Sequence, residues 1–295
     1  MLTKRSAVVT ALVASAVVTF SGPAHADPAP AFASLGAAFR GGNISLYQAA
    51  ETNGLPLEWA REFWNGSVPA SLAAWPAATA ANNLGLKLWL SVDMKAPAYL
   101  TPDTDAKLAT FAQTLPAGTR LTFMHEPSAK NKGYTAAQFV AAFDHAAAVV
   151  HAAAPGVLVG PIDVRANVMT RHYLDGLDPS QLDFVAMDAY DGINGGAPNQ
   201  EFGPFVAKQV AYLQGLFPGK PIGFAEFNTA RPADDRPRWI ADALAWGAAN
   251  GIGPMCIFDS AQPWILTDAE QQALGALLNP PQPPPPPPLP PPLTP

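Results

Sequence analysis

The sequence predicts a single-domain (β/α)8 TIM barrel, and three observations carry that expectation. Residues 27–279 have the length such barrels take, roughly 250 residues. Eight short β-branched or apolar runs punctuate this stretch, and segments of helical spacing separate them. Strands alternating with helices pair in parallel, and eight such units close into a barrel.

Taken in order, residues 1–26 read as an export signal. Lys4 and Arg5 form a charged start, Ala7–Phe20 an apolar stretch, and Ala24-His25-Ala26 a small-x-small cleavage pattern. That stretch is short for a bilayer span and no other apolar run comes close. The expectation is a cleaved signal and a secreted or cell-wall-associated protein without a membrane span.

The expected strands are Ala33–Phe39, Glu58–Phe63, Lys87–Val92, Arg120–Met124, Val157–Ile162, Asp183–Met187, Pro221–Ala225 and Pro254–Phe258. Leu108, Phe111 and Leu115 mark a helix ahead of the fourth strand. The next helix opens at Thr135 and stops at Pro155-Gly156, with Phe139, Phe143, Ala146 and Val150 along one face. Phe205, Val206, Val210 and Leu213 stripe the helix after the sixth strand, and Trp239, Ala243 and Trp246 the one after the seventh. Residues 280–295 include 12 prolines, which gives a polyproline or disordered tail.

Composition narrows the function. Lys and Arg total 17 against 23 acidic residues with no basic run, a poor basis for nucleic-acid binding. Hydrophobic content of 49% excludes disorder for the core. A single cysteine, Cys256, excludes an internal disulfide and a cysteine-based zinc site. There is no internal repeat, glycine-rich phosphate loop or HExxH. His145 and His151 lie on a predicted helix far in sequence from other ligand types and read as solvated. The expectation is a monomer without cofactor or metal. Trp75, Trp89, Trp239 and Trp246 read as core or helix-sheet packing, and Asn43-Ile44-Ser45 and Asn65-Gly66-Ser67 match a glycosylation pattern that also arises by chance.

Barrels of this kind place chemistry at the carboxyl ends of their strands, so the polar residue that ends each apolar run is the one to inspect. The fourth run leads into His125-Glu126-Pro127, the sixth into Asp188-Ala189-Tyr190-Asp191, the seventh into Glu226-Phe227-Asn228, and the eighth into Asp259-Ser260 with Trp264 nearby. Glu126 and Glu226 can face one another across the mouth. Two carboxyls about 5–5.5 Å apart are the equipment of a retaining glycosidase, one protonating the leaving oxygen while the other attacks the anomeric carbon.

His125-Glu126-Pro127, Asp188-x-Tyr190, Ile222-Gly-Phe-Ala-Glu-Phe227 and Phe258-Asp-Ser260 resemble the motifs of clan A glycoside hydrolases, and within them family 26. The resemblance covers about Leu35 to Leu278. It implies Glu126 as acid/base, Glu226 as nucleophile, and His125 and Tyr190 as neighbours that bind sugar or orient a carboxylate. The implied substrate is a β-linked polysaccharide, with endo-β-1,4-mannanase action first, and β-glucanase or β-xylanase action or a non-catalytic glycan-binding barrel as alternatives. Many mannanases follow the strand-four His-Glu with a tryptophan-rich stretch, whereas this chain continues Pro127-Ser128-Ala129-Lys130-Asn131-Lys132-Gly133. Asp188 and Asp191 either touch sugar or orient loops, Tyr190 either serves the site or caps the barrel, and Trp264 either stacks on a pyranose or packs ahead of the last helix.

Overall fold

Apolar runs bounded by Gly, Pro and Asn become parallel strands in a computed structural model that describes residues 32–39, 43–129, 132–192, 198 and 200–280. The signal segment, Lys130, Asn131 and the tail beyond Pro280 lie outside the described residues. The strands are β1 (Leu35–Phe39), β2 (Leu57–Asn65), β3 (Lys87–Asp93), β4 (Arg120–Phe123), β5 (Leu158–Val159), β6 (Ile162–Val164), β7 (Val185–Asp191), β8 (Ile222–Thr229) and β9 (Met255–Asp259). Their order in the sheet is β5-β4-β3-β2-β1-β9-β8-β7-β6.

The two ends of that sheet are one stretch of chain. Gly160-Pro161 alone separates β5 from β6. Around this break the Gly160 N–H donates to the Leu121 carbonyl, while the carbonyls of Val159 and Pro161 accept from Asp183 and Ala186. The sheet therefore returns on itself, with β5 and β6 together standing in the place of the expected fifth strand. Proline there removes a donor. A Cβ at Gly160 would overlap the Phe184 carbonyl, so only glycine permits the approach.

Helices α1 (Ile44–Thr52), α2 (Pro76–Asn83), α3 (Pro102–Ala112), α4 (Ala136–Ala153), α5 (Phe202–Leu216), α6 (Arg236–Ala249) and α7 (Asp268–Leu278) follow the strands in turn. Capping boxes start α4 (Thr135 with Gln138) and α7 (Thr267 with Glu270), while Thr101 and Pro102 start α3. The unit after the fifth strand departs from the expected alternation: turns and one short 3₁₀ segment (Pro179–Gln181) occupy 165–181, with no α-helix. His145 and His151 sit on α4 paired with Asp105 and Asp183, at 2.7 and 2.9 Å.

Alternation along each strand divides the core in two. Most apolar side chains, among them Phe139, Phe143, Phe202 and Trp239, fill the layer between sheet and helices. Trp59, Trp89, Ile162, Phe184, Ala186, Ala225 and Cys256 fill the barrel. Arg120 joins the barrel filling, its guanidinium carbon 5.4, 5.0 and 4.7 Å from the rings of Trp59, Trp89 and Phe184. Above this layer the interior turns polar, and the site begins.

Candidate active site

Strand β8 aims Glu226 through a bulge. On one edge Met187 pairs with Phe224 and Asp188 with Glu226; on the other, Met255 pairs with Phe224 and Ile257 with Phe227. Each neighbour thus spends one residue fewer than β8 does, as a β-bulge requires. Phe224 and Phe227 both face the helices, and the two residues between them, Ala225 and Glu226, are left on the barrel side. The Glu226 side chain is consequently 5% exposed, at the mouth of the barrel.

Three groups surround its carboxylate. Tyr190, two residues beyond Asp188 on β7, donates its hydroxyl to Oε2. His125 Nε2 lies 3.5 Å from Oε1, and Arg61 Nη2 lies 3.8 Å from the same oxygen. Arg61 is fully buried and held by the carbonyls of Glu62 and Trp89 at 3.2 and 3.4 Å. His125 Nε2 also meets Asp188 Oδ2 at 2.5 Å, and Asp188 stands behind the imidazole with no side-chain exposure. Trp264 is likewise set back: it is buried and its ring lies tilted at 42° against Tyr190 with centroids 5.0 Å apart, while its carbonyl accepts from Asn228.

Glu126 is placed by a strained turn. Met124 and Glu126 have φ of 51° and 52°, left-handed values uncommon in residues other than glycine. The Glu126 N–H donates to the Ile162 carbonyl at 3.0 Å, and Lys132 Nζ to the His125 carbonyl at 2.5 Å. Beneath the turn, Asp163 at the end of the fifth strand accepts from the N–H and hydroxyl of Ser128, and Arg171 and Asn167 donate to the Ser128 carbonyl. Glu126 is half-buried, and its charge acts on His125, Asp188, Tyr190 and Glu226.

Burial dominates the electrostatics. It pushes the Glu226 carboxyl up to about 7, with Asp188 raising it further and His125 and Arg61 opposing. The same desolvation raises Asp188 and lowers His125, so both incline to their neutral forms. Glu62 is also pushed up to about 7 by burial, against a hydrogen bond from Tyr47 at 2.8 Å.

His125 and Glu226 open into a cleft of about 680 Å³ whose walls include Phe39, Glu62, Phe63, Trp64, Trp75, Phe258 and Ser260. Trp64 is half-buried and tilts against the buried Trp75, centroids 5.5 Å apart. An aromatic wall is present, then, but β2 and the segment ahead of α2 supply it. Arg61, Glu62, Trp64 and Asp163 are absent from the residues expected at the site. Asp163 carried the signal that singled out Glu226, an acid directly after an apolar run. Trp75, expected in packing, both packs and lines the cleft.

No known family matches the sequence, and no curated protein does. Solved structures do resemble the fold. Thermotoga maritima Cel5A, in complex with mannotriose, aligns over 84% of this chain and 98% of its own, at TM-score 0.60 and 10% identity. An exo-β-1,4-mannosidase, Op5Man5 from Opitutaceae bacterium strain TAV5, aligns over 83% of this chain and 56% of its own, at 0.52 and 13%. For a β-glucuronidase of an uncultured Clostridium sp. the shares are 77% and 43%, at 0.54 and 12%. The chain has a (β/α)8 barrel shared with glycosidases. It spans less than half of that β-glucuronidase, and at these identities the likeness concerns the fold. Among the described residues no helix is long and apolar enough to cross a membrane.

Proposed function

We propose that this chain is a retaining glycoside hydrolase that cleaves a β-linked polysaccharide, with Glu226 as nucleophile and Glu126 as general acid/base. One observation carries the reading: a single carboxylate is turned by a bulge into the mouth of the barrel, held by Tyr190 and Arg61, and opened to an aromatic-walled cleft. A carboxylate so held is placed to attack rather than to be solvated.

In the first step Glu126 gives its proton to the glycosidic oxygen while a Glu226 oxygen bonds to the anomeric carbon, releasing the leaving sugar as an alcohol. In the second, Glu126 takes a proton from water, whose oxygen displaces Glu226 and restores both carboxyls. Tyr190 and Arg61 stabilise the negative charge that returns to Glu226 as the ester breaks. Asp188 fixes the His125 ring, and His125 presents its edge to the sugar bound over Glu226.

The aromatic wall of Trp64 and Trp75 suits the apolar faces of pyranose rings. The family 26-like motifs favour a β-1,4-mannan, cut internally; the mannotriose bound to the similar Cel5A barrel is in keeping with that choice. β-Glucan and β-xylan are the alternatives on the same site. The signal-like start is the ground for proposing a secreted or wall-associated enzyme, which with one cysteine would be held by its core rather than by an internal disulfide. A panel of mannan, β-glucan and xylan assayed for new reducing ends tests the proposal. Mannan cleavage is expected, cleavage of another β-glycan alone reassigns the substrate, and binding without cleavage leaves a non-catalytic barrel.

A further inference from the structure

We propose that His125, Asp188 and Glu226 together form a binding site for one divalent transition-metal ion of the Zn²⁺ and Co²⁺ class. His125 Nε2 lies 2.5 Å from Asp188 Oδ2 and 3.5 Å from Glu226 Oε1. One ligand atom from each residue falls within 4.8 Å of the others. Zinc bonds of about 2.0–2.2 Å in a tetrahedron set ligand atoms roughly 3.3 Å apart, so seating an ion requires the 2.5 Å His125–Asp188 contact to open by about 0.8 Å.

Independent of these distances, the site holds acceptors with nothing to accept. Asp188 Oδ1 and Glu226 Oε1 are buried and have no hydrogen-bond partner, Oε1 having only the longer ion-pair contacts of His125 Nε2 at 3.5 Å and Arg61 Nη2 at 3.8 Å, and unsatisfied buried oxygens are costly. Tyr190 occupies Oε2 of Glu226, which orients the carboxylate and leaves Oε1 turned toward His125. The donor set of one imidazole and two carboxylates suits zinc, cobalt or manganese. Because His125 and Glu226 line the cleft, the remaining coordination position faces solvent, where water completes the shell.

The three ligands come from β7, β8 and the turn after β4, so no spacing motif announces them. Binding engages Oε1 of Glu226, so metal and glycan compete, and the ion acts as a reversible brake on the proposed reaction. The site itself does not depend on that reaction, and its test is read without turnover.

Co²⁺ titrated into the chelator-treated full chain should give visible d–d bands saturating at one equivalent, and Zn²⁺ should displace them. His125→Ala and Asp188→Asn should each weaken Co²⁺ binding by about 100-fold or more, while His172→Ala, which removes an exposed histidine paired with Asp175, leaves it unchanged. No band in the wild type, or equal binding in both ligand variants, overturns the proposal. Should either variant fail to fold by circular dichroism, Cu²⁺ resonance spectra of the wild type decide: coupling to one imidazole nitrogen supports the site, and none or several overturns it. Metal bound at one equivalent without glycan cleavage refutes the hydrolase reading alone. Cleavage unaffected by saturating Zn²⁺, with Co²⁺ still bound at one equivalent, refutes the brake alone.

Discussion

Arg61 Nη2 stands 3.8 Å from Glu226 Oε1, both side chains withdrawn from solvent and the guanidinium fully so. A cation in that position favours the ionised carboxylate, yet burial and Asp188 outweigh it and leave Glu226 near 7. Since a nucleophile must be ionised to attack, kcat/KM should fall as pH drops below about 7. Arg61→Met removes an opposing charge, so this acidic limb should move to higher pH, and loss of one partner of a buried pair should cost about 3 kcal/mol of stability. Rate profiles from pH 4 to 9 with chelator present, beside urea unfolding, check both effects.

Substitution should separate the two carboxyls. Glu226→Ala should abolish turnover on every substrate, and azide or formate entering the vacated space should restore product of inverted configuration. Glu126→Ala should lower polysaccharide cleavage by about 10²–10⁴-fold while an activated aryl glycoside, whose leaving group needs no proton, still releases its phenol in a burst. Equal loss on both substrate types in folded Glu126→Ala protein would make Glu126 a binding residue.

The two cleft tryptophans should also part company. Trp64 is half-buried on the wall, so Trp64→Ala should raise KM with kcat nearly kept. Trp75 is buried between Trp64 and Phe111, so Trp75→Ala should cost about 3–5 kcal/mol in stability besides. Oligosaccharide kinetics and thermal unfolding distinguish the two outcomes.

Stability should fall as pH rises. Burial pushes Glu62 up to about 7 and Asp163 and Asp259 up to about 6. A carboxyl whose value is higher folded than unfolded favours the native state while protonated. That contribution is complete below about pH 4 and is lost as pH passes 6 to 7. Among these groups, then, unfolding free energy should decline by a few kcal/mol between pH 4.5 and 8, and Asp163→Asn should flatten the slope. Urea titrations across that range measure it.

Apolar runs made the barrel strands legible, but their ends misled where the interior is polar. The seventh run stops at Ala225 on the page, whereas β8 continues through Glu226 to Thr229. The sixth stops at Met187, whereas β7 continues through Asp188 and Tyr190 to Asp191. A buried polar side chain inside a closed sheet is written in sequence like a strand terminus. Arg61 and Glu62 escaped notice for a related reason: a charged pair within a short run reads as a solvent face until closure of the sheet puts Arg61 inside. The bulge that aims Glu226 leaves no mark in composition, because it is a mismatch in count between three strands. The missing helix after the fifth strand was equally hidden, since short turns can bridge two strands as well as a helix can.

The break at Gly160-Pro161 gives the barrel a line along which it can come apart. Only Arg120–Leu158 and Leu121–Val159 tie β4 to β5, and three pairs tie β6 to β7, whereas seven join β2 to β3. The α4 helix packs on β5, but no α-helix follows β6 to cover the other side of this seam. Opening should therefore proceed like a book hinged at the β1–β9 ladder, with β1–β4 as one cover and β7–β9 as the other. Amide deuteration would see this as early labelling of 158–164 while the protons of β2 and β3 persist. Asp163 and the strained turn that carries Glu126 lie on that seam, so the residue proposed as the acid rides on the most lightly paired ladders among the described strands.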